Sequence, residues 1–186
     1  MKTISFILSY LILFVIYPVS VHADINVYQS SGISPVLHLV KDSRFPGSLQ
    51  PGYSVSAGMG LEYPRGLDIK LEGTASHIAD SMVQEGFIYR GVNSVDGGVT
   101  LGFGLPVGES TRGFSAGITV GGAAHYARYI GTNLYFFYPS AEISPFFSFS
   151  LAQRVYIRIT SPFQWHARRD LSYHFSVALC AEILVY

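Results

Sequence analysis

The chain has one cysteine, Cys180, among its 186 residues. No intramolecular disulfide can form, and metal clusters built on Cys with His are excluded with it. Charge is scarce as well: 13% of residues are charged, against about 25% in an ordinary soluble domain. Twelve basic residues balance twelve acidic ones, so there is no basic excess to form a face for nucleic acid. Beyond residue 23 no apolar run is long enough to cross a membrane as a helix. Yet mean hydropathy is positive, and Tyr and Phe contribute 13 residues each. That combination is awkward for a soluble protein. It suits a barrel whose outside is apolar and whose inside is polar.

What is present begins with a targeting segment. Lys2 is a short positive region, Ile4 to Ile16 is almost unbroken apolar sequence, and Val21-His22-Ala23 is a small-residue cleavage site. Residues 1–23 therefore read as a signal peptide, and 24–186 as one domain starting at Asp24.

Through that domain the dominant signal has period two. Tyr53, Val55, Ala57, Met59, Leu61 and Tyr63 alternate with Ser54, Ser56, Gly58, Gly60 and Glu62. Leu67, Ile69, Leu71, Gly73 and Ala75 alternate with Asp68, Lys70, Glu72, Thr74 and Ser76. Three charges in a row on one strand face would be costly in a dry core and suit a wet lumen. The same pattern marks strands over Val99–Leu105, Phe114–Tyr126, Tyr135–Ser150, Val155–Thr160 and Tyr173–Val185. An eighth, Ile33–Lys41, is weaker and is interrupted by Pro35. Connectors alternate between a tight set (Pro64-Arg65-Gly66, Gly108 to Gly113, Ala152-Gln153) and a longer set (Asp42 to Gly52, His77 to Asp96, Arg128 to Asn133, Ser161 to Leu171). Short periplasmic turns and longer outer loops are the habit of outer-membrane barrels. Tyr53, Tyr63, Tyr126, Tyr135, Phe137 and Tyr173 sit near strand ends, where an interfacial girdle belongs.

The expected fold is all-β: a closed antiparallel up-and-down transmembrane barrel of about eight strands, because in lipid a sheet must close to pair every backbone group. From about Ile33 to Tyr186 the chain resembles the small bacterial outer-membrane barrels of the OmpA, OmpX and OmpW type, and its Gly- and Tyr-rich composition is similar to that of spirochaete outer-membrane proteins. The resemblance implies location in the bacterial outer membrane, contact with its lipids, and delivery to the barrel-assembly machinery through a C-terminal strand ending in an aromatic residue, here Tyr186. Tyr186 departs from the family pattern, since the lipid-facing phase of Tyr173 to Val185 puts it on the other face unless a bulge intervenes.

Within the barrel, Glu62, Asp68, Lys70, Glu72, Glu142, Arg154, Arg158, His174 and Glu182 fall in the lumen phase. Charges of both signs in one narrow interior read as a paired network that plugs the lumen; a narrow ion path is the alternative. An OmpW-like route for hydrophobic solutes would need an apolar constriction, for which Phe136, Tyr138, Phe146 and Tyr156 have the inward phase. Gly102 and Gly104 lie mid-strand and relieve crowding in the lumen. The segment Ser161 to Leu171 is expected to be an outer loop carrying Phe163, Trp165, Arg168 and Arg169, a contact surface for lipid headgroups or an extracellular partner. Enzyme activity is not expected. Some barrels of this size modify lipid A, but His125-Tyr126-Ala127 lacks the Ser that a deacylase strand carries. His77, Asp80 and Ser81 read as a solvated loop. His166 and His174 show no metal-like spacing with a third ligand, so neither a metal nor a cofactor is expected. The function expected is structural or surface-interacting.

Overall fold

A computed structural model describes residues 25–41, 48–63, 66–79, 81–84, 87–89, 91–106, 113–169 and 171–186. The signal-peptide reading of residues 1–23 lies outside them, as do Asp80 and most of the tight connector Gly108 to Gly113. Every regular element among the described residues is a β-strand: β1 (Asn26–Lys41), β2 (Ser48–Glu62), β3 (Leu67–Ile78), β4 (Ser81–Gln84), β5 (Phe87–Tyr89), β6 (Val92–Pro106), β7 (Ser115–Tyr129), β8 (Tyr135–Ala152), β9 (Val155–Thr160), β10 (Phe163–His166), β11 (Tyr173–Ala178) and β12 (Cys180–Val185).

Ten of these form one sheet that closes on itself. β1 pairs antiparallel with β2 on one side and with β11 and β12 on the other. The remaining pairings run β2–β3–β6–β7–β8, β8 then meets β9 and β10, and β9 with β12 and β10 with β11 complete the ring. β9 with β10, and β11 with β12, are each one stave of the wall, so the closed barrel has eight staves. β4 and β5 form a separate small hairpin beyond the end of the barrel opposite the chain termini, within the long connector.

The alternation read from the sequence governs which side each residue takes. Val55, Met59, Val99, Leu101, Phe103, Ile118, Val120, Ile143, Ile159, Val177 and Ile183 all lie exposed on the outer face. A continuous apolar exterior of this kind is the surface a barrel offers to lipid. Outward aromatic pairs sit near both ends: Phe114 against Phe147 at 4.7 Å, and Tyr126 stacked on Tyr135 at 5.5 Å.

Four expectations need correction, the simplest being that β2 opens at Ser48, inside the expected connector Asp42 to Gly52. The first strand starts at Asn26 rather than Ile33. Gln29 and Ser31 hide the alternation there, and the strand is held by full-length register with β2, from Asn26↔Glu62 to Val40↔Ser48. The long connector after β3 is shorter than expected, because the loop-like segment Val92–Gly98 is paired throughout with β3 and β7. The expected loop Ser161 to Leu171 opens with strand β10, held between β8 and β11.

Proline explains why β10 reads as a loop. Pro162 interrupts only one rung. The Ser161 N–H donates to Pro145 O at 3.0 Å, the Ala178 N–H to Pro162 O at 3.0 Å, and the Leu179 N–H to Pro35 O at 3.2 Å. Each proline carbonyl still accepts although its nitrogen cannot donate. At Ala178 O the Ser161 hydroxyl supplies a donor, at 3.2 Å. Pro35, Pro145 and Pro162 thus form a line across four neighbouring staves, and the strands continue past it.

Candidate functional site: the barrel lumen

The lumen is filled in two tiers. The tier nearer the chain termini is ionic. The Tyr28 hydroxyl donates to Asp68 Oδ1 at 2.6 Å, and Arg158 Nη1 donates to Asp68 Oδ2 at 2.7 Å. Tyr28, Asp68 and Arg158 are all buried, and the Arg158 guanidinium also lies 4.7 Å from the centre of the Phe146 ring. This clamp crosses the barrel from β1 through β3 to β9. Glycine makes room for it: a Cβ at Gly60 would lie 2.1 Å from the Tyr28 ring, and one at Gly104 would lie 2.8 Å from Phe146.

Next to the clamp, Lys70 Nζ sits 2.6 Å from Glu72 and 3.1 Å from Glu182. Glu142 accepts from Gln164 Nε2 at 2.8 Å. Four carboxyl groups (Asp68, Glu72, Glu142, Glu182) thus stand with two cations (Lys70, Arg158). Most of the residues expected in the lumen network meet here. Glu62 lines an open vestibule at the terminus end. Arg154 departs from the expectation: it is exposed, in the two-residue turn between β8 and β9, with φ of 113°. A turn residue no longer follows the strand's alternation, so Arg154 rims the vestibule instead of joining the network. His174 is inward as expected but belongs to the other tier.

That second tier, nearer the far end, is built of imidazoles and rings. His38 from β1, His125 from β7, His166 from β10 and His174 from β11 are all buried. His38 Nδ1 and His174 Nε2 are 2.9 Å apart, and the His166 and His174 rings stack at 4.1 Å. His125 Nε2 meets Ser140 Oγ at 2.7 Å, and His166 Nε2 meets Ser176 Oγ at 2.8 Å. Tyr138 stacks flat on His125 at 4.6 Å. Beyond it Ile78, Val92, Ala127 and Tyr138 form a buried apolar cluster with Tyr129 and Phe136 against it. The Arg168 guanidinium lies 4.4 Å from the centre of the Phe136 ring.

Arg168 is therefore an interior residue, which corrects its placement on an outer loop. Once Phe163 and Trp165 point outward from β10, His166 points inward, and Arg168 keeps the same inward parity. Phe163, Trp165 and Arg169 are exposed. Of the inward aromatics, Tyr138 and Phe136 join the far cap, Phe146 joins the clamp, and Tyr156 lies against Tyr186 at 5.1 Å. No bulge restores an outward phase to Tyr186; its ring also meets Tyr28 at 5.3 Å.

Between the clamp and the cap lies a cavity of about 110 Å³, lined among others by Lys70, Glu72, Glu182, His38, His125 and His166. The imidazole cluster was not legible in the sequence as a unit. His38 stands 136 residues from His174, and only closure of the barrel brings them together. Their shared inward phase is the one signal that pointed to it.

The fold is that of the small eight-stranded outer-membrane β-barrels. Among solved structures, Neisserial surface protein A superposes with a TM-score of 0.65 at 10% identity, over 87% of this chain and 97% of that one. Ail, the attachment invasion locus protein of Yersinia pestis, solved in complex with the heparin analogue sucrose octasulfate, gives 0.50 at 12%, over 86% and 99%. No protein-family model and no curated protein sequence matches the chain.

Proposed function

We propose that the chain is a non-conducting barrel of the bacterial outer membrane, with its termini on the periplasmic side and a structural or surface-interacting role. The observation that carries this reading is the packing of side chains across both ends of the lumen: Tyr28, Asp68 and Arg158 join across it toward the terminus end, and Arg168 packs on Phe136 and Tyr138 toward the other. Opening the clamp would strand a buried carboxylate or guanidinium, which costs several kcal/mol, on the order of the penalty for breaking any buried ion pair. Contacts with lipid headgroups or an extracellular partner fall to the exposed groups at the far end, Trp165, Arg128 and Arg169.

Catalysis has little to work with. Asp96, His125 and Ser140 approach the order of a hydrolytic triad, with His125 Nδ1 3.2 Å from Asp96 Oδ2. Yet Ser140 pairs with Ala123 on one side and His166 on the other. The strand ladder therefore uses the backbone N–H groups that would have to form an oxyanion hole. His77 bonds Asn93 at 2.7 Å on the outer side of the wall, while Asp80 lies outside the described residues.

Planar-bilayer recording of the purified barrel tests the reading. The expected record is a closed bilayer with no steady unitary currents. Steady channels whose ion selectivity shifts when Arg158 or Glu72 is neutralised would replace it with the narrow-channel reading.

A further inference from the structure

We infer that His38, His166 and His174 form a binding site for one divalent transition-metal ion of the zinc and copper class, inside the barrel. Three independent observations carry it. First, each of these residues offers a ring nitrogen, and the three nitrogens lie within 4.8 Å of one another. Second, all three rings are fully or almost fully buried, at 5%, 4% and 0% exposure. Third, His38 Nε2, His166 Nδ1 and His174 Nδ1 have no hydrogen-bond partner. A buried polar atom without a partner is costly, and each of the three rings keeps one; the facing nitrogens of His38 and His174, Nδ1 and Nε2, meet at 2.9 Å.

The donor set defines the ligand class. Neutral imidazoles without thiolate or bidentate carboxylate suit zinc, copper and nickel and are poor for calcium or magnesium. A tetrahedral ion holds nitrogens at about 2.0–2.1 Å, which places them roughly 3.3 Å from each other. The facing nitrogens of His38 and His174 already stand at 2.9 Å, so the ion would take the place of their hydrogen bond, with the rings turning to admit it. Support around the ligands is already built. His166 is held through Nε2 by Ser176, whose hydroxyl in turn donates to Gln164 Oε1 at 3.2 Å. That is the outer-shell hydrogen bond that fixes a ligating imidazole and leaves Nδ1 for the ion. His38 and His166 line the cavity, so a water there can complete the set, while the His125 nitrogens are taken up by Ser140 and Asp96.

Arg168, packed on Phe136 and Tyr138, opposes a cation at the three rings, so binding rests on the imidazole lone pairs rather than on charge. The site does not depend on whether the barrel conducts.

The test uses the untagged chain refolded from urea into detergent micelles with Zn²⁺ or Co²⁺ present. Free metal is removed, and metal per folded barrel is counted on material that migrates as the compact form on unboiled gels. The expected result is one ion per barrel. Co²⁺ should show the visible absorption of a low-coordinate nitrogen site, and the melting temperature should rise above that of metal-free protein. His38→Gln, His166→Gln and His174→Gln should each lower affinity by at least about a hundredfold, beyond the 10–100-fold typical of outer-shell changes. His77→Gln, on the outer wall, should leave it unchanged. Folded wild-type barrel that retains no metal overturns the inference, as does metal retained equally by His174→Gln. If the variants fail to fold, the wild-type stoichiometry and cobalt spectrum decide alone.

Discussion

Near the chain termini the lumen is packed with full charges, and toward the far end it is packed with imidazoles, hydroxyls and aromatic rings. Both tiers seal the same bore with groups drawn from the inward face of the same staves. In the ionic tier each group has a strong, specific partner: Asp68 holds Tyr28 and Arg158, and Lys70 holds Glu72 and Glu182. In the imidazole tier the contacts are ring on ring and ring to hydroxyl, and several nitrogens stay unmatched. The difference is one of degree: the ionic tier keeps Ser30 Oγ and Arg158 Nε without a partner, while the rings of His38, His166 and His174 in the imidazole tier each keep one such nitrogen.

Breaking the ionic tier should have the largest effect. Arg158→Met leaves Asp68 buried beside Tyr28 with no cation, and should cost about 3–5 kcal/mol. The loss is read as a lower urea midpoint in the fluorescence of Trp165, the single tryptophan. Adding Asp68→Leu to Arg158→Met should recover more than half of it. A double variant no better than the single one would mean that the clamp is not a pair. Gly60→Val drives a side chain into the Tyr28 ring and should cost about 1–3 kcal/mol, as overpacking does. Its mark is loss of the clamp without loss of any charge. In the other tier, His125→Phe keeps the stack on Tyr138 but leaves the Ser140 hydroxyl without its imidazole, for about 1–2 kcal/mol. If His125→Phe cost as much as Arg158→Met, the two tiers would be equally matched and the contrast would fail.

The wall was far more legible in the sequence than the bore. Strict alternation over Tyr53–Tyr63 and Leu67–Ser76, together with the spacing of turns, is enough to specify staves and closure, because sheet pairing in lipid leaves few alternatives. It failed where tertiary pairing overrode local signals. Pro35 reads as an interruption of its strand because a missing donor is visible in sequence, while the neighbour that tolerates it is not. Asp68, Lys70, Glu72, Arg158 and Glu182 could be placed inside by parity alone. Parity says nothing about height along the bore, so neither the clamp nor the meeting of His38 with His166 and His174 could be read from it. Arg154 shows the limit at the rim, where turn geometry replaces alternation and takes a charge out of the lumen, whereas Arg168 keeps the inward parity of Gln164 and His166, hidden while its segment read as a loop.

The proline line through Pro35, Pro145 and Pro162 has a mechanical meaning for the wall. Each proline removes one amide proton from the hoops that bind neighbouring staves, and all three losses fall on one diagonal. The barrel is therefore perforated, like paper scored before tearing. In heavy water, the amides of Ser161, Ala178 and Leu179 should exchange ahead of those at equal depth on β6 and β7, which the perforation does not reach.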